Sequence, residues 1–331
     1  MTTPPPAQAP AQAPAQDCVA LTGGTGFVGG HILRRLLAEG WRVRALTRRP
    51  DGLPKVDAAL AARLTPVQGD LTSEDALAEL VAGAGSVIHC AGLVAARRSA
   101  EFSQVNAEGT AQLLRALPAE SGPRRIVLMS SLAAREPQLS PYAHSKREAE
   151  KILERQVGKS SRLILRPPVV YGPGDRATLP LFRQFSRGFA VLPADAGRFS
   201  MLYVEDLAAA TVAALAPELP AGSTLEPDDG REKGYGWADV LAAAERQIGR
   251  PIRTLTVPRA AQRLAAALSA AGALFTGRAP MLSQGKVNEI AHPDWVCRKT
   301  ALEDCFSWRP AVGLDEGFSR TLAWYKAAGW L

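Results

Sequence analysis

From residue 17 onward the sequence predicts an α/β chain: a doubly wound parallel sheet with a smaller, mostly helical C-terminal part. Three observations carry this expectation. Short apolar runs alternate with helical periods through the first half. A glycine-rich turn, Thr22-Gly-Gly-Thr-Gly-Phe-Val-Gly29, separates the first run from the first helix. A Tyr142-Ala-His-Ser-Lys146 segment follows a run that ends in Ser130-Ser131.

The apolar runs fall at 18–22, 42–46, 86–91, 125–130 and 162–166, with a weaker one at 64–68. Each is short enough for a strand buried on both faces. Helical patterns occupy 27–39, 73–82, 105–116 and 141–156. Gly40 stops the first of these. Ser140 is a natural N-cap for the last, and Pro141 suits its first turn. After about residue 171 the rhythm loosens, beginning with the loop Gly172-Pro-Gly-Asp175. Residues 217–234, rich in Pro, Gly and acids, read as a connection or surface loop. The apolar segment 259–276 is too short to span a bilayer, which needs ~20 apolar residues. A buried helix is the first expectation for it; a lid or an interfacial helix is the second.

The domain plan follows from this pattern. Residues 1–16 are a Pro/Ala/Gln tail expected to be disordered. Residues 17–171 form a Rossmann-type dinucleotide-binding domain, to which 200–216 return. Residues 172–199 and 217–331 supply the substrate-binding part.

Composition narrows the function classes. The 331 residues are 47% apolar and 21% charged, the balance of a soluble enzyme. Lys and Arg outnumber Asp and Glu by 39 to 32, a formal net charge of +7. The surplus suits an anionic cofactor, an acidic substrate or an anionic membrane surface. No zinc-finger spacing or aromatic-interleaved basic motif argues for nucleic acid. Cys18, Cys90, Cys297 and Cys305 form no C-x-x-C pair, which argues against a metal site and a disulfide framework. A reducing, cytoplasmic setting fits, and residues 1–16 lack the basic and apolar regions of a secretory signal.

The glycine turn places backbone N–H groups and a helix N-terminus where a pyrophosphate would sit. Its spacing is G-x-x-G-x-x-G, at Gly23, Gly26 and Gly29. Tyr142 and Lys146 stand four apart on one helix face. An ammonium there is expected to lower the phenol's pKa from ~10 and make it a proton donor near neutral pH. Ser131 is expected to orient a substrate oxygen, with Ser130 as its rival. His144 reads as a surface residue and His89 as packing beside the cofactor.

These segments together resemble the extended short-chain dehydrogenase/reductase family, also called the NAD-dependent epimerase/dehydratase family. The matching motifs are TGGTGFVG at 22–29, GDL at 69–71, HCAG at 89–92 and VNAEGT at 105–110. MSS at 129–131, YAHSK at 142–146 and LRPPVVYGPGD at 165–175 continue them. LYVEDLA at 202–208 and GFSRTLAWYKAAGW at 317–330 complete the set. The resemblance covers essentially everything after residue 16. It implies that Gly23, Thr25, Gly26, Phe27 and Val28 surround a pyrophosphate and that Asp70 and Leu71 border an adenine. Ala91 and Gly92 would line the trough near the ribose, Lys146 would hold ribose hydroxyls, and Pro167 to Val170 would face the nicotinamide.

The strand at 42–46 runs into Thr47-Arg48-Arg49, where an NAD-preferring site would carry Asp or Glu. A guanidinium there pairs with the 2′-phosphate of NADP(H), with Arg48 as the main contact and Arg49 as the second. Tyr142 follows Ser131 by eleven positions, a shorter connection than in many sugar-nucleotide relatives. The resulting expectation is an NADPH-dependent carbonyl reductase with Ser131, Tyr142 and Lys146 as catalytic residues and no metal. SSLAAREP at 130–137 and HPDWV at 292–296 are similar to bacterial relatives of sphingolipid synthesis, which implies a lipid ketone such as the 3-keto group of an oxidised ceramide. Peripheral contact with the inner membrane surface and a monomer or homodimer complete this reading. A nucleotide-sugar epimerase or dehydratase, and a non-catalytic NADPH-binding scaffold, are the alternatives.

Overall fold

A computed structural model describes residues 18–118, 123–158, 162–195, 197–216, 219, 222–276, 282–298 and 308–331. The tail at 1–16, Cys305 and the Pro280-Met281 pair lie outside the described residues.

Thirteen strands occur among them: β1 Cys18–Thr22, β2 Arg42–Thr47, β3 Leu64–Gln68, β4 Ser86–His89, β5 Arg125–Met129, β6 Arg162–Leu165, β7 Val169–Tyr171, β8 Phe189–Pro193, β9 Arg198–Phe199, β10 Met201–Tyr203, β11 Ser223–Leu225, β12 Arg253–Val257 and β13 Asp294–Trp295. The α-helices are α1 Phe27–Ala38, α2 Ala58–Ala61, α3 Glu74–Val81, α4 Ser99–Phe102, α5 Gly109–Arg115, α6 Pro141–Gln156, α7 Leu179–Ser186, α8 Val204–Ala213, α9 Trp237–Ile248, α10 Arg259–Thr276, α11 Gln284–Ile290 and α12 Leu314–Ala327.

Seven strands make one parallel sheet in the order β11-β6-β5-β4-β1-β2-β3. The strand order reverses between β1 and β4, and there the crevice for a ligand opens at the carboxyl ends. The two-residue period of each strand divides the core. Val19, Leu21, Ile88, Val127 and Leu163 pack with α1 and α8 on one face, while Ala20, Val87, Ile126 and Ile164 pack with α3, α5 and α6 on the other. Strands buried on both faces therefore read as unbroken apolar runs. A third core, around Tyr171, Phe182, Phe185, Phe318 and Tyr325, joins α7, α9 and α12 in the C-terminal part.

Four sequence expectations change in detail. The run at 86–91 ends as a strand at His89, because residues 90–92 leave the sheet to meet the glycine turn. The helix expected over 105–116 begins as a π-helical stretch, Ser103–Glu108, continuing α4 and running on into α5. Within 217–234, residues Ser223–Leu225 form the edge strand β11 rather than loop, hydrogen-bonded to β6. The 259–276 segment is the helix α10, but it is not a buried one. Among its residues 259–270 only Ala266 is buried, and Leu264 and Leu268 are 63% and 66% exposed.

Candidate active site

The glycine turn leads from β1 into α1. Gly23 has a φ of +78°, a left-handed value that favours glycine, and its carbonyl accepts a 2.9 Å hydrogen bond from Gly26 N. A Cβ on Gly29 would stand 2.0 Å from the Gly23 oxygen, so the helix can pass this closely only without a side chain. A Cβ on Gly23 would lie 2.6 Å from Ala91 N, which brings the β4 end against the turn. The α1 cap, Gly26, offers no side-chain acceptor, and the first turn holds no acidic residue. The first N–H groups of α1 are thus left for an external anion, and this cradle fits a dinucleotide pyrophosphate.

Around the cradle, Thr25 and Gly26 are exposed while Phe27 and Val28 are half-buried. Ala91 N donates to Thr22 Oγ1 at 3.1 Å. Arg48 and Arg49 are exposed immediately past β2. Asp70 sits after β3, and its carboxylate accepts from Thr72 N at 2.8 Å and Thr72 Oγ1 at 2.6 Å. Those Thr72 bonds, with Ser73 and the charge of Arg48, hold its carboxyl below the usual range. Asp70 is thus a turn-fixing residue that also lies near Arg48. Leu71 packs on Gly109, where a Cβ would stand 2.6 Å from Leu71 Cδ1.

The other half of the site lies at the carboxyl ends of β5 and β6. Ser140 caps α6 by accepting from Ala143 N at 2.9 Å, with Pro141 in the first turn. Tyr142 and Lys146 follow on successive turns. The two serines after β5 separate: Ser130 is buried and donates to Glu150 Oε1 at 2.5 Å, whereas Ser131 is half-buried and near enough to the Tyr142 phenol to lower its pKa. Ser131 Oγ also accepts from Ala133 N at 3.2 Å, as cap of the 3-10 turn Leu132–Arg135. Leu132 N donates to Pro167 O at 2.9 Å, tying this turn to the Pro167–Val170 segment. Pro167 is buried and Val170 half-buried.

Lys146 is buried, and its Nζ donates to Met129 O at 2.9 Å. A Cβ on Gly92 would stand 3.0 Å from that Nζ, so the trough residue and the lysine are neighbours. Burial pulls the Lys146 ammonium below its ordinary value, with Cys90 and Glu150 acting in the opposite sense. The tyrosine departs from its expectation. Burial pushes the Tyr142 phenol up to about 12; the neighbouring Ser131 hydroxyl draws it down, and the Glu289 carboxylate adds to the rise. Lys146 Nζ donates to the Met129 carbonyl and is not among the groups that shift the phenol. Tyr142 is therefore held as the neutral phenol, ready to give a proton.

His89 is buried between Thr22 Oγ1, 2.7 Å from Nδ1, and Thr110 Oγ1, 3.0 Å from Nε2. Burial lowers it to about 3, so it is a neutral packing residue. His144 is exposed. Among the described residues no cluster of His, Cys, Asp and Glu could hold a metal ion.

Two supporting groups were not legible as such. Asn106, in the π-helical stretch, accepts from Leu93 N at 2.7 Å and donates to Ser145 Oγ at 2.8 Å, joining the trough to α6. Its signal is the VNAEGT motif, and a π turn often marks a functional position. Glu289 of α11 receives a hydrogen bond from Ser140, 149 positions earlier in the chain. No local pattern announces such a contact.

The comparisons fit this geometry. The profile of the NAD dependent epimerase/dehydratase family matches residues 19–224. A ceramide reductase of Caulobacter vibrioides is 38% identical over 319 residues, spanning 96% of this chain and 97% of that protein. The 4-hydroxy-2-methyl-3-oxo-4-farnesyl-3,4-dihydroquinoline-1-oxide ketoreductase of Stigmatella aurantiaca is 32% identical over 54% of this chain and 58% of its own length. Among solved structures, MoeE5 in complex with UDP-glucose and NAD superposes with a TM-score of 0.70 at 22% identity, covering 94% of this chain and 99% of that one, a likeness of fold. The chain belongs to the NAD-dependent epimerase/dehydratase family and is an NAD(P)-dependent oxidoreductase of the short-chain dehydrogenase/reductase type.

Proposed function

We propose that this chain is an NADPH-dependent carbonyl reductase whose substrate is a lipid ketone, specifically the 3-keto group of an oxidised ceramide. The observation that carries this reading is the placement of Lys146, four residues after Tyr142 on α6, with its buried ammonium beside Gly92 of the strand end that meets the glycine turn. The name and near full-length match of the Caulobacter relative support the substrate class.

In this reading 17–171, with 200–216, hold the dinucleotide, and 172–199 with 217–331 hold the substrate. Gly23, Thr25, Gly26, Phe27 and Val28 enclose the pyrophosphate, and Arg48 receives the 2′-phosphate. Asp70 and Leu71 border the adenine; Ala91 and Gly92 line the ribose trough; Pro167 and Val170 back the nicotinamide. When bound, NADPH supplies a hydride for the carbonyl carbon. Ser131 Oγ donates to the carbonyl oxygen and fixes its direction. Tyr142 gives its phenolic proton to that oxygen as the carbon gains the hydride, which completes the alcohol. Lys146, released from the Met129 carbonyl, would hold ribose hydroxyls and offset the charge left on the phenolate.

No helix among the described residues is long and apolar enough to cross a membrane. We place the protein in the cytoplasm at the inner membrane surface, as a monomer or homodimer, where a lipid ketone can reach it. The test is NADPH oxidation by purified protein with 3-keto-ceramide in detergent, beside Tyr142→Phe. Turnover lost in the variant supports the reading. Absent turnover with tight NADPH binding would move the search to other ketones and to sugar nucleotides, such as the UDP-glucose held by the structural neighbour MoeE5.

A further inference from the structure

The helix α10 is built inside out. Leucines at 264 and 268, four apart, share one face, and that face is turned to solvent. Among residues 259–270 the positions that touch the protein are small or polar: Ala266 is buried, and Gln262 and Ser269 are half-buried. Gln262 Nε2 donates to Val257 O at 2.9 Å, locking the first turn of α10 to the end of β12. A surface helix of a globular protein ordinarily buries its apolar stripe.

The ribbon beside it repeats the pattern. β8 and β12 pair in parallel with Val191 opposite Leu255, and both are exposed, at 42% and 63%. Phe189, on the same face as Val191, is 39% exposed. The alternate residues Ala190 and Leu192 enter the C-terminal core. Ribbon and helix are separated in sequence only by Pro258, and each carries an exposed apolar face.

Charge identifies what covers them. Between Glu245 and Glu289 the chain carries seven Lys and Arg residues and no Asp or Glu; Arg246 pairs with Asp315 and Lys286 with Glu289, and exposed Asp195 follows β8. Arg253, Arg259 and Arg263 are exposed within this stretch, and Arg187 is exposed two residues before Phe189. Apolar side chains with arginines around them match an anionic bilayer, whose headgroups attract the cations while the acyl boundary receives the leucines. A second copy of this chain would bring the same positive charge to the interface and meet repulsion.

The position suits delivery of a substrate. α10 packs against α11. α11 in turn lies on the start of the catalytic helix: Asn288 Nδ2 donates to Leu139 O at 3.2 Å, and a Cβ on Gly285 would stand 2.7 Å from Ser140 Cβ. We infer that the exposed faces of α10 and the β8–β12 ribbon form a docking surface for an anionic lipid bilayer, holding the start of α6 near the membrane. This deepens the membrane placement proposed above and rests on it only for location, not for the reaction.

The test is flotation of the full chain with vesicles of phosphatidylcholine alone and of phosphatidylcholine with phosphatidylglycerol, in low and high salt. The variants are Leu264→Asp with Leu268→Asp, and separately Leu255→Asp. NADPH affinity and circular dichroism establish that each is folded. The proposal expects flotation on the anionic vesicles, weakened by salt, and a fall of about tenfold or more in bound fraction for the variants. Wild-type protein that stays at the bottom overturns it, as do folded variants that float like wild type. A dimer that these substitutions split, without flotation, would assign the face to a second copy and also overturn it. Turnover in detergent without flotation would remove the docking surface and leave the reductase; flotation without turnover would do the reverse.

Discussion

Ser130 donates its hydroxyl to Glu150, and this bond turns the first of two adjacent serines into the interior, leaving Ser131 as the one on the Tyr142 side. Glu150 is fully buried and also accepts two hydrogen bonds from Arg166, at 2.8 and 2.6 Å, and one from Arg147 at 2.8 Å. Arg166 approaches Glu226, which pairs with Arg135. A ladder of charges thus runs under the catalytic turn toward the C-terminal part.

Glu150→Gln should cost about 1–3 kcal/mol of stability, because it leaves the half-buried Arg166 guanidinium with only the 3.8 Å contact to Glu226 as an ion pair. Burial opposes ionisation of Glu150, but Arg166, Ser130 and Arg147 outweigh it and hold the carboxyl below its ordinary value. The folded pKa is depressed, so the stabilisation is complete above the unfolded value of about 4.3 and fades as pH falls through the folded one. Urea unfolding at pH 7 and near pH 4 reads both effects. A variant as stable as wild type at pH 7 would refute the ladder.

Tyr142→Phe should lower kcat by about 100- to 10,000-fold and leave NADPH affinity unchanged. Phenol titration followed by absorbance separates this from a lowered-pKa scheme. With Tyr142 pushed up to about 12, wild type and variant should ionise alike up to about pH 10 in the absence of cofactor. A raised pKa means the folded protein keeps its proton longer, so the acid form is present throughout the neutral range. A phenolate belonging to Tyr142 below pH 9 would contradict the structure.

The sheet was legible because its strands are buried on both faces and stand out as apolar runs between capped helices. β5, read as 125–130 and observed as Arg125–Met129, is typical. The glycine turn was legible because close approach needs residues without Cβ. What stayed hidden depends on partners distant in sequence. The Tyr142 environment is set partly by Glu289, and the Lys146 bond by Met129 in another element. Edge strand β11 has three residues, too few for a period. α10 misled because apolar composition predicts burial, and here Leu264 and Leu268 face outward.

Gly29→Ala should abolish the cradle. The added Cβ would meet the Gly23 carbonyl at 2.0 Å, backbone against backbone, so the turn must open. Dinucleotide affinity should fall by about tenfold or more, with a stability loss of about 1–3 kcal/mol. Gly92→Ala is the milder companion, since its Cβ meets the Lys146 and Asn106 side chains at 3.0 Å. It should spare folding and reduce kcat. Calorimetric titration with NADPH distinguishes them, and tight binding by Gly29→Ala would show that the pyrophosphate lies elsewhere.

Arg48→Glu tests the choice of cofactor. Arg48 leaves β2 at the position where the second strand of such a sheet meets the adenine ribose. Asp70 feels the charge of Arg48, but its carboxylate already serves Thr72 and Ser73. A guanidinium bonded to a 2′-phosphate contributes about 1.5–3 kcal/mol, so its loss should weaken NADPH by about 10- to 100-fold. NADH, which has only a hydroxyl there, should bind no worse and can gain a hydrogen bond from the new carboxylate. The ratio of the two dissociation constants is the quantity to measure. If Arg48→Glu leaves that ratio unchanged and Arg49→Glu moves it, the second arginine holds the phosphate. If neither moves it, the preference for NADPH does not arise at the end of β2.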